Sequence, residues 1–204
     1  MGAELLPWVL TSGWASGINA YAVVLLMGVL GRLGVDAVPT ALQRTDVMVV
    51  AGVLFAVELV AEKVPYLDSA WDAVHTFVRP VVGAAIAALL AGHAGSMEQA
   101  VMAATGGASA LASHLVKAGL RAVVNTSPEP ASTIVVSTAE DLTVAGVVSL
   151  AALNPWVAAG IALTLLAVGA VLVVVLWRRV QRARRRWRDW RGRRWGDAPR
   201  TPAT

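Results

Sequence analysis

The chain has 204 residues, 57% of them hydrophobic and 15% charged, where an average soluble domain has about 45–50% and about 25%. The formal net charge is +4, and ten of the seventeen Lys and Arg lie between Arg178 and Arg194; the remaining body is too apolar for a soluble enzyme and long enough for one domain of about six membrane spans at ~20 residues each. Cysteine is absent, which excludes disulfides, thiol nucleophiles, thiolate metal ligands and palmitoylation.

The first apolar run covers residues 8–30 and has no Lys or Arg before it, so a cleaved secretory signal is not expected. Asn19 and Tyr21 stand deep within this run among Gly13, Ser16 and Gly17; they either make interhelical hydrogen bonds or line a substrate path. Further helices are predicted near 46–64, 76–92, 98–121, 139–154 and 157–177, the last uncharged throughout and followed at once by Arg178 and Arg179. The apolar runs 81–91 and 142–153 are shorter than the ~17 residues a crossing usually needs. Those two helices must recruit flanking polar residues, tilt, or lie partly inside the bundle, and four full spans with two partial ones is the competing count. Glycine and alanine recur along the helices, which suits close backbone approach in lipid.

The basic tail sets the orientation, because Lys and Arg beside a membrane helix favour the cytoplasm. The expected location is the inner membrane, with the C-terminus and, for an even number of spans, the N-terminus cytoplasmic. Loops around 63–79 and 117–121 then face the cytoplasm, and Arg32 and Arg44 face out. The two halves also share short stretches: 79–87 reads beside 154–162, and Asp46 followed by 50–53 reads beside Asp141 followed by 144–147. Three helices per unit is an odd number, so the second copy enters from the opposite side. That is the 3+3 inverted repeat in which secondary transporters place a midplane site. Low-complexity Ala/Val/Gly sequence yields such matches by chance as well.

Charged side chains at a helix centre in a bilayer cost roughly 2.5–3.5 kcal/mol each, so their presence needs a reason. Glu58 and Glu62, four residues apart, share a helix face, and Lys63 and Pro65 follow where that helix should end. Asp68, Asp72, His75 and Arg79 form one helical stripe; His114, Lys117, Arg121 and Asn125 form a second. A loop with Glu129 follows, and Glu140 and Asp141 are expected to open the fifth helix, where negative charge suits the N-terminus. All these groups fall in the cytoplasmic half of the expected topology. An acidic stripe then faces a basic one, either as a structural ion-pair network or as a cytoplasm-facing polar cavity for an ion, a proton or a small anionic solute.

Asp68, Asp72, His75 and His114 have the donor types of a metal site, but Arg79 and Lys63 nearby oppose a cation, and the sequence assigns neither metal nor cofactor. There is no His-Glu-x-x-His, no Gly-x-Ser-x-Gly and no phosphate-binding Gly-rich loop. Ser113 and His114 are adjacent, and neighbours point about 100° apart on a helix, so they do not make a nucleophile and base by adjacency.

These residues also carry a family resemblance. The matching pieces are Gly17-Ile18-Asn19-Ala20-Tyr21, the run from Glu58 to Pro65, Asp68 with Trp71-Asp72-Ala73-Val74-His75-Thr76, Arg79-Pro80, the run from His114 to Arg121, and Ser127-Pro128-Glu129-Pro130 through Glu140-Asp141. Together they resemble the bacterial membrane proteins grouped as the domain of unknown function 4126 family, over roughly residues 10–175. The family pattern has Asp-Lys where this chain has Glu62-Lys63, and Ser-Asn where it has Ser132-Thr133, changes that keep the chemistry similar. The resemblance implies a membrane protein and marks its polar signature; it implies no activity and does not extend to the tail.

Residues 1–178 therefore read as a transmembrane helical domain and 179–204 as a cytoplasmic tail. Arg178, Arg179, Arg182, Arg184, Arg185, Arg186 and Arg188 interleave with Trp187 and Trp190, which suits a helix lying on anionic lipid with indoles at headgroup level. Nucleic acid is the rival partner for such a segment, disfavoured by tethering to a bilayer; a bare topology signal is the plainest alternative. Residues 197–204 are expected to be disordered. The chain thus reads as an all-α integral membrane protein, a small transporter or channel, with a non-transporting scaffold or lipid-organising protein as the rival and an intramembrane metalloenzyme as a third reading. Its oligomeric state is not fixed by the sequence.

Overall fold

The computed structural model describes residues 2–64, 67–92, 94–124 and 130–195. Asn125 and Glu129 lie outside the described residues, as do the side chains of Asp68, Arg184, Arg186, Trp187, Arg188 and Trp190. Among the described residues the chain forms seven α-helices and no strand: α1 (Gly2–Ile18), α2 (Ala20–Arg32), α3 (Thr45–Ala61), α4 (Leu67–Leu90), α5 (Ser96–Val124), α6 (Pro130–Leu153) and α7 (Pro155–Trp195). A 3-10 turn over Thr40–Gln43 joins α2 to α3.

The single helix expected over 8–30 is broken. Asn19 leaves helical geometry at φ −147° and ψ 96°, and its side-chain oxygen accepts the Ala22 N–H at 2.9 Å, capping α2. Asparagine is among the best N-cap residues because its short side chain satisfies a donor the first turn leaves free. Hydropathy summed along the run is blind to that competition. At the far end of α2, Gly34 adopts φ +95°, and the Gly34 and Val35 N–H groups bond the Gly31 and Leu30 carbonyls at 3.1 Å each. This Schellman turn needs a left-handed residue, which glycine supplies without a Cβ clash. Pro155 opens α7, a first-turn position where its missing N–H removes no helical bond.

Helices α4 and α6 are 24 residues each, longer than their apolar runs, because each recruits a flanking polar segment. Glu140 and Asp141 consequently lie well inside α6 rather than at its start, and the expected pairing with the helix N-terminus does not occur. By length and composition three helical segments are able to cross a membrane: Ala70–Leu90, Ile134–Leu153 and Pro155–Ala183. Helix α7 runs unbroken past Arg178 over 41 residues, with Arg178, Arg179, Arg182 and Arg185 exposed along it.

Helix α1 touches α2, α4, α5, α6 and α7, and α5 packs against α1, α4 and α7. Close approach is enforced at Gly106, where a Cβ would stand 2.5 Å from the Ala87 Cβ and 2.6 Å from the Gly83 carbonyl of α4. An apolar core of Val9, Val23, Met27, Ile86, Val144 and Val148 fills the space around α1 and α2. Exposure is inverted relative to a water-soluble fold. Phe77 is 78% exposed, Leu153 77% and Leu142 69%, while Glu58, Arg79 and His114 are fully buried; in a soluble domain such charges are almost never fully buried unless paired.

The segments that read as repeats occupy different places. Pro80 lies inside α4, whereas Pro155 begins α7. Asp46 is exposed in the first turn of α3, whereas Asp141 is half-buried within α6. The geometry lends the inverted repeat no support.

Candidate functional site

The end of α1, the start of α2 and the polar halves of α3 to α6 meet in one buried cluster. Helical periodicity explains how each element contributes: residues three, four or seven apart return to the same face, so Glu58 with Glu62, Asp72 with His75 and Arg79, and His114 with Lys117 and Arg121 each point one way.

Arg79 sits at the centre. Its Nη2 donates to Glu58 Oε1 at 2.7 Å and to Glu62 Oε1 at 3.4 Å. Its Nη1 reaches Asp72 Oδ1 at 3.2 Å, His114 Nδ1 at 2.7 Å and the Gly17 carbonyl at 3.4 Å. The planar five-donor fork of arginine suits such a many-partner position, which a lysine could not fill. Glu62 is the matching hub on the acidic side. Lys117 Nζ donates to its Oε1 at 2.5 Å, while Arg121 Nη2 pairs with Oε2 at 3.1 Å and the Ser137 hydroxyl donates to Oε2 at 3.3 Å. Lys117 also lies 3.3 Å from Glu140 and donates to the Ile18 carbonyl at 2.7 Å. Arg121 donates to Glu140 at 3.1 Å.

The break in the first helix feeds this cluster. The carbonyls of Gly17 and Ile18, at the C-terminal end of α1, accept from Arg79 and Lys117 respectively. Asn19, besides capping α2, donates its amide to Asp141 Oδ1 at 2.9 Å. Tyr21 contacts His75, its hydroxyl 3.1 Å from Nε2, and the His75 Nδ1 donates to the Trp71 carbonyl at 2.8 Å. Trp71 stacks on the His75 ring at 4.6 Å between centroids. On its other side Trp71 lines an apolar cavity of about 510 Å³ between α3 and α4, bounded also by Val53, Val57, Val60 and Leu67.

The cluster therefore unites Asn19, Tyr21, Glu58, Glu62, Asp72, His75, Arg79, His114, Lys117, Arg121, Glu140 and Asp141. Lys63 stays apart, donating to the Leu59 carbonyl of its own helix at 3.0 Å. Asp68, Asn125 and Glu129 fall outside the described groups. The expected confrontation of an acidic stripe with a basic one is only half met, because Asp72 and Arg79 bind each other within α4. Thr76 and Ser137 belong to the site and were not singled out in the sequence. Thr76 is four residues after Asp72, whose carbonyl its hydroxyl bonds at 3.0 Å, and Ser137 is three residues before Glu140; the same helical spacing that exposed the charged stripes also marks these hydroxyls.

Several buried polar atoms have no hydrogen-bond partner: Glu58 Oε2, Arg79 Nε, Arg121 Nη1 and Asp141 Oδ2. Among the described residues no three His, Asp or Glu side chains converge as a metal site requires. Arg79 stands between Asp72 and His114, where a metal joining those two would sit.

No curated protein and no solved structure matches the chain. A family model described as Domain of unknown function (DUF4126) matches residues 6–177, which takes in every helix that builds the cluster and stops where the arginine-rich segment begins. The chain belongs to the domain of unknown function 4126 family.

Proposed function

We propose that the chain crosses the inner membrane as a bundle of about six spans, with α1 and α2 forming one interrupted span, and that it moves a small cation, a proton included, through the charged cluster. The observation that carries this reading is the break at Asn19, which aims the freed Gly17 and Ile18 carbonyls at a buried cluster of charge. Non-helical backbone at membrane depth is tolerated where it is buried in protein or lines a cavity, and interrupted helices are how secondary transporters build ion sites. Buried charge within such a bundle marks ion and proton pathways. The inverted exposure of the helices and the three segments long enough to cross support membrane insertion. The excess of carboxylates over cations, with carbonyl oxygens added, suits a cation rather than the anionic solute that the sequence left open. Transport rests here on the broken helix and not on a repeat.

The tail orients the protein with both termini cytoplasmic, and its exposed arginines suit anionic lipid. The rival reading, a static scaffold, draws on one observation: every charged side chain in the cluster except Asp141 already has an ionic partner within 3.4 Å. The two separate in liposomes. With an imposed membrane potential, the full chain is expected to admit protons or alkali cations above the background of empty vesicles, and Glu58→Gln to return uptake to that background. Uptake no greater than empty vesicles, from folded protein, would establish the scaffold.

A further inference from the structure

The charge inventory of the cluster leaves more carboxylates than cations. Its cations are Arg79 from α4 and Lys117 and Arg121 from α5. The carboxylates paired with them are Glu58 and Glu62 from the end of α3, Asp72 from α4 and Glu140 from α6. That is four carboxylates against three cations among the described residues. From the remaining sides, Tyr21 of α2 contacts His75, and Asp141 of α6 is held by Asn19 rather than by a cation.

The histidines narrow the choice. A guanidinium offers only hydrogens, so His114 Nδ1, 2.7 Å from Arg79 Nη1, must present its lone pair. Its Nε2–H then donates to Thr76 Oγ1 at 3.0 Å, and the Thr76 hydrogen goes to the Asp72 carbonyl. His114 is thus a neutral imidazole of fixed tautomer and contributes no fourth positive charge. Glu62 has partners on both oxygens. Glu140 is 16% exposed on its side chain, and Asp72 has Arg121 3.8 Å from its second oxygen. Glu58 is fully buried, with Oε1 held by Arg79 and Oε2 bare. An ionised oxygen without a donor in such a place is costly, and a proton on it removes the charge; Asp141 Oδ2 is bare as well, but that side chain is only half-buried.

We propose that the cluster binds one exchangeable proton on the Glu58 carboxyl, so that the cation carried by this site is the proton. This deepens the transport reading and rests on it for its physiological use, while the protonation itself is measurable without transport. His75 is the other group whose bonds accommodate an added proton: its Nδ1 already donates to the Trp71 carbonyl, and reversal of the Tyr21 hydroxyl lets Nε2–H donate as well.

Infrared difference spectroscopy of the purified full chain in detergent tests this. At neutral pH a protonated-carboxyl carbonyl band is expected, shifted by glutamate-selective carbon-13 labelling, abolished in Glu58→Gln and retained in Asp141→Asn. The labelling arm needs no substitution, so it separates a glutamate from Asp72 and Asp141 even if Glu58→Gln fails to fold, and Glu58→Asp, which keeps a carboxyl there but moves the band out of the glutamate set, then assigns it. Absence of the band in the unaltered protein, its survival in folded Glu58→Gln, or its insensitivity to glutamate labelling would overturn the proposal. A band that vanishes when sodium is added at constant pH would assign the site to the metal cation and overturn it equally. A band present in protein that is silent in liposomes would support the proton site and sink the transport reading alone; flux without the band would do the reverse.

Discussion

Arg79 concentrates the energetics of the site in one side chain. It is fully buried and bonds Glu58, Glu62, Asp72 and His114 together. Taking one partner out of a buried ion network leaves uncompensated charge, at a cost of about 3–5 kcal/mol, whereas replacing both partners by neutral groups of similar size is often far milder. Arg79→Met is therefore expected to lower the thermal unfolding midpoint in detergent sharply, and Arg79→Met with Glu58→Gln to recover part of the loss. Equal midpoints for the single variant and the parent would show that the network holds nothing together. Local spacing placed Arg79 on the stripe with Asp72 and His75. It could not reveal that Glu58 and Glu62 are its partners, because the register between α3 and α4 is set by tertiary contacts that leave no local pattern.

Among the elements, the break between α1 and α2 matters most. Asn19 does two jobs: it caps α2 through Ala22 and satisfies Asp141. Loss of a cap costs about 1 kcal/mol, and a buried acceptor left bare adds about 1–3 kcal/mol. Asn19→Ala is thus expected to lose both and Asn19→Ser to keep the cap alone, so thermal midpoints should fall in the order parent, Asn19→Ser, Asn19→Ala. An Asn19→Ala protein as stable as the parent would mean that the break is incidental. The break went unread in the sequence because the window over 8–30 is apolar enough to pass as one helix; the asparagine after Gly17 and Ile18 was the available signal. Helices α4 and α6 were legible in place but not in length, since their polar extensions carry Asp72, His75, Glu140 and Asp141, whose charges interrupt the apolar runs by which a span is recognised.

At the scale of the whole molecule, apolar side chains face outward and the ionisable ones gather within. Phe77, Leu142 and Leu153 are more than two-thirds exposed while Glu58, Glu62 and Arg79 are fully buried, the arrangement expected when hydrocarbon is the solvent. The all-helical architecture was legible because 57% hydrophobic content is laid out in long apolar runs, the last closed by clustered arginines. The chain contains no cysteine, so single cysteines report their surroundings without background. In intact membranes Phe77→Cys and Leu142→Cys are expected to resist a water-soluble, membrane-impermeant thiol reagent, and Arg185→Cys, exposed on α7 beyond the Pro155–Ala183 segment, to be labelled from the cytoplasmic side. Rapid labelling of Phe77→Cys and Leu142→Cys with Arg185→Cys untouched would contradict the account at its root.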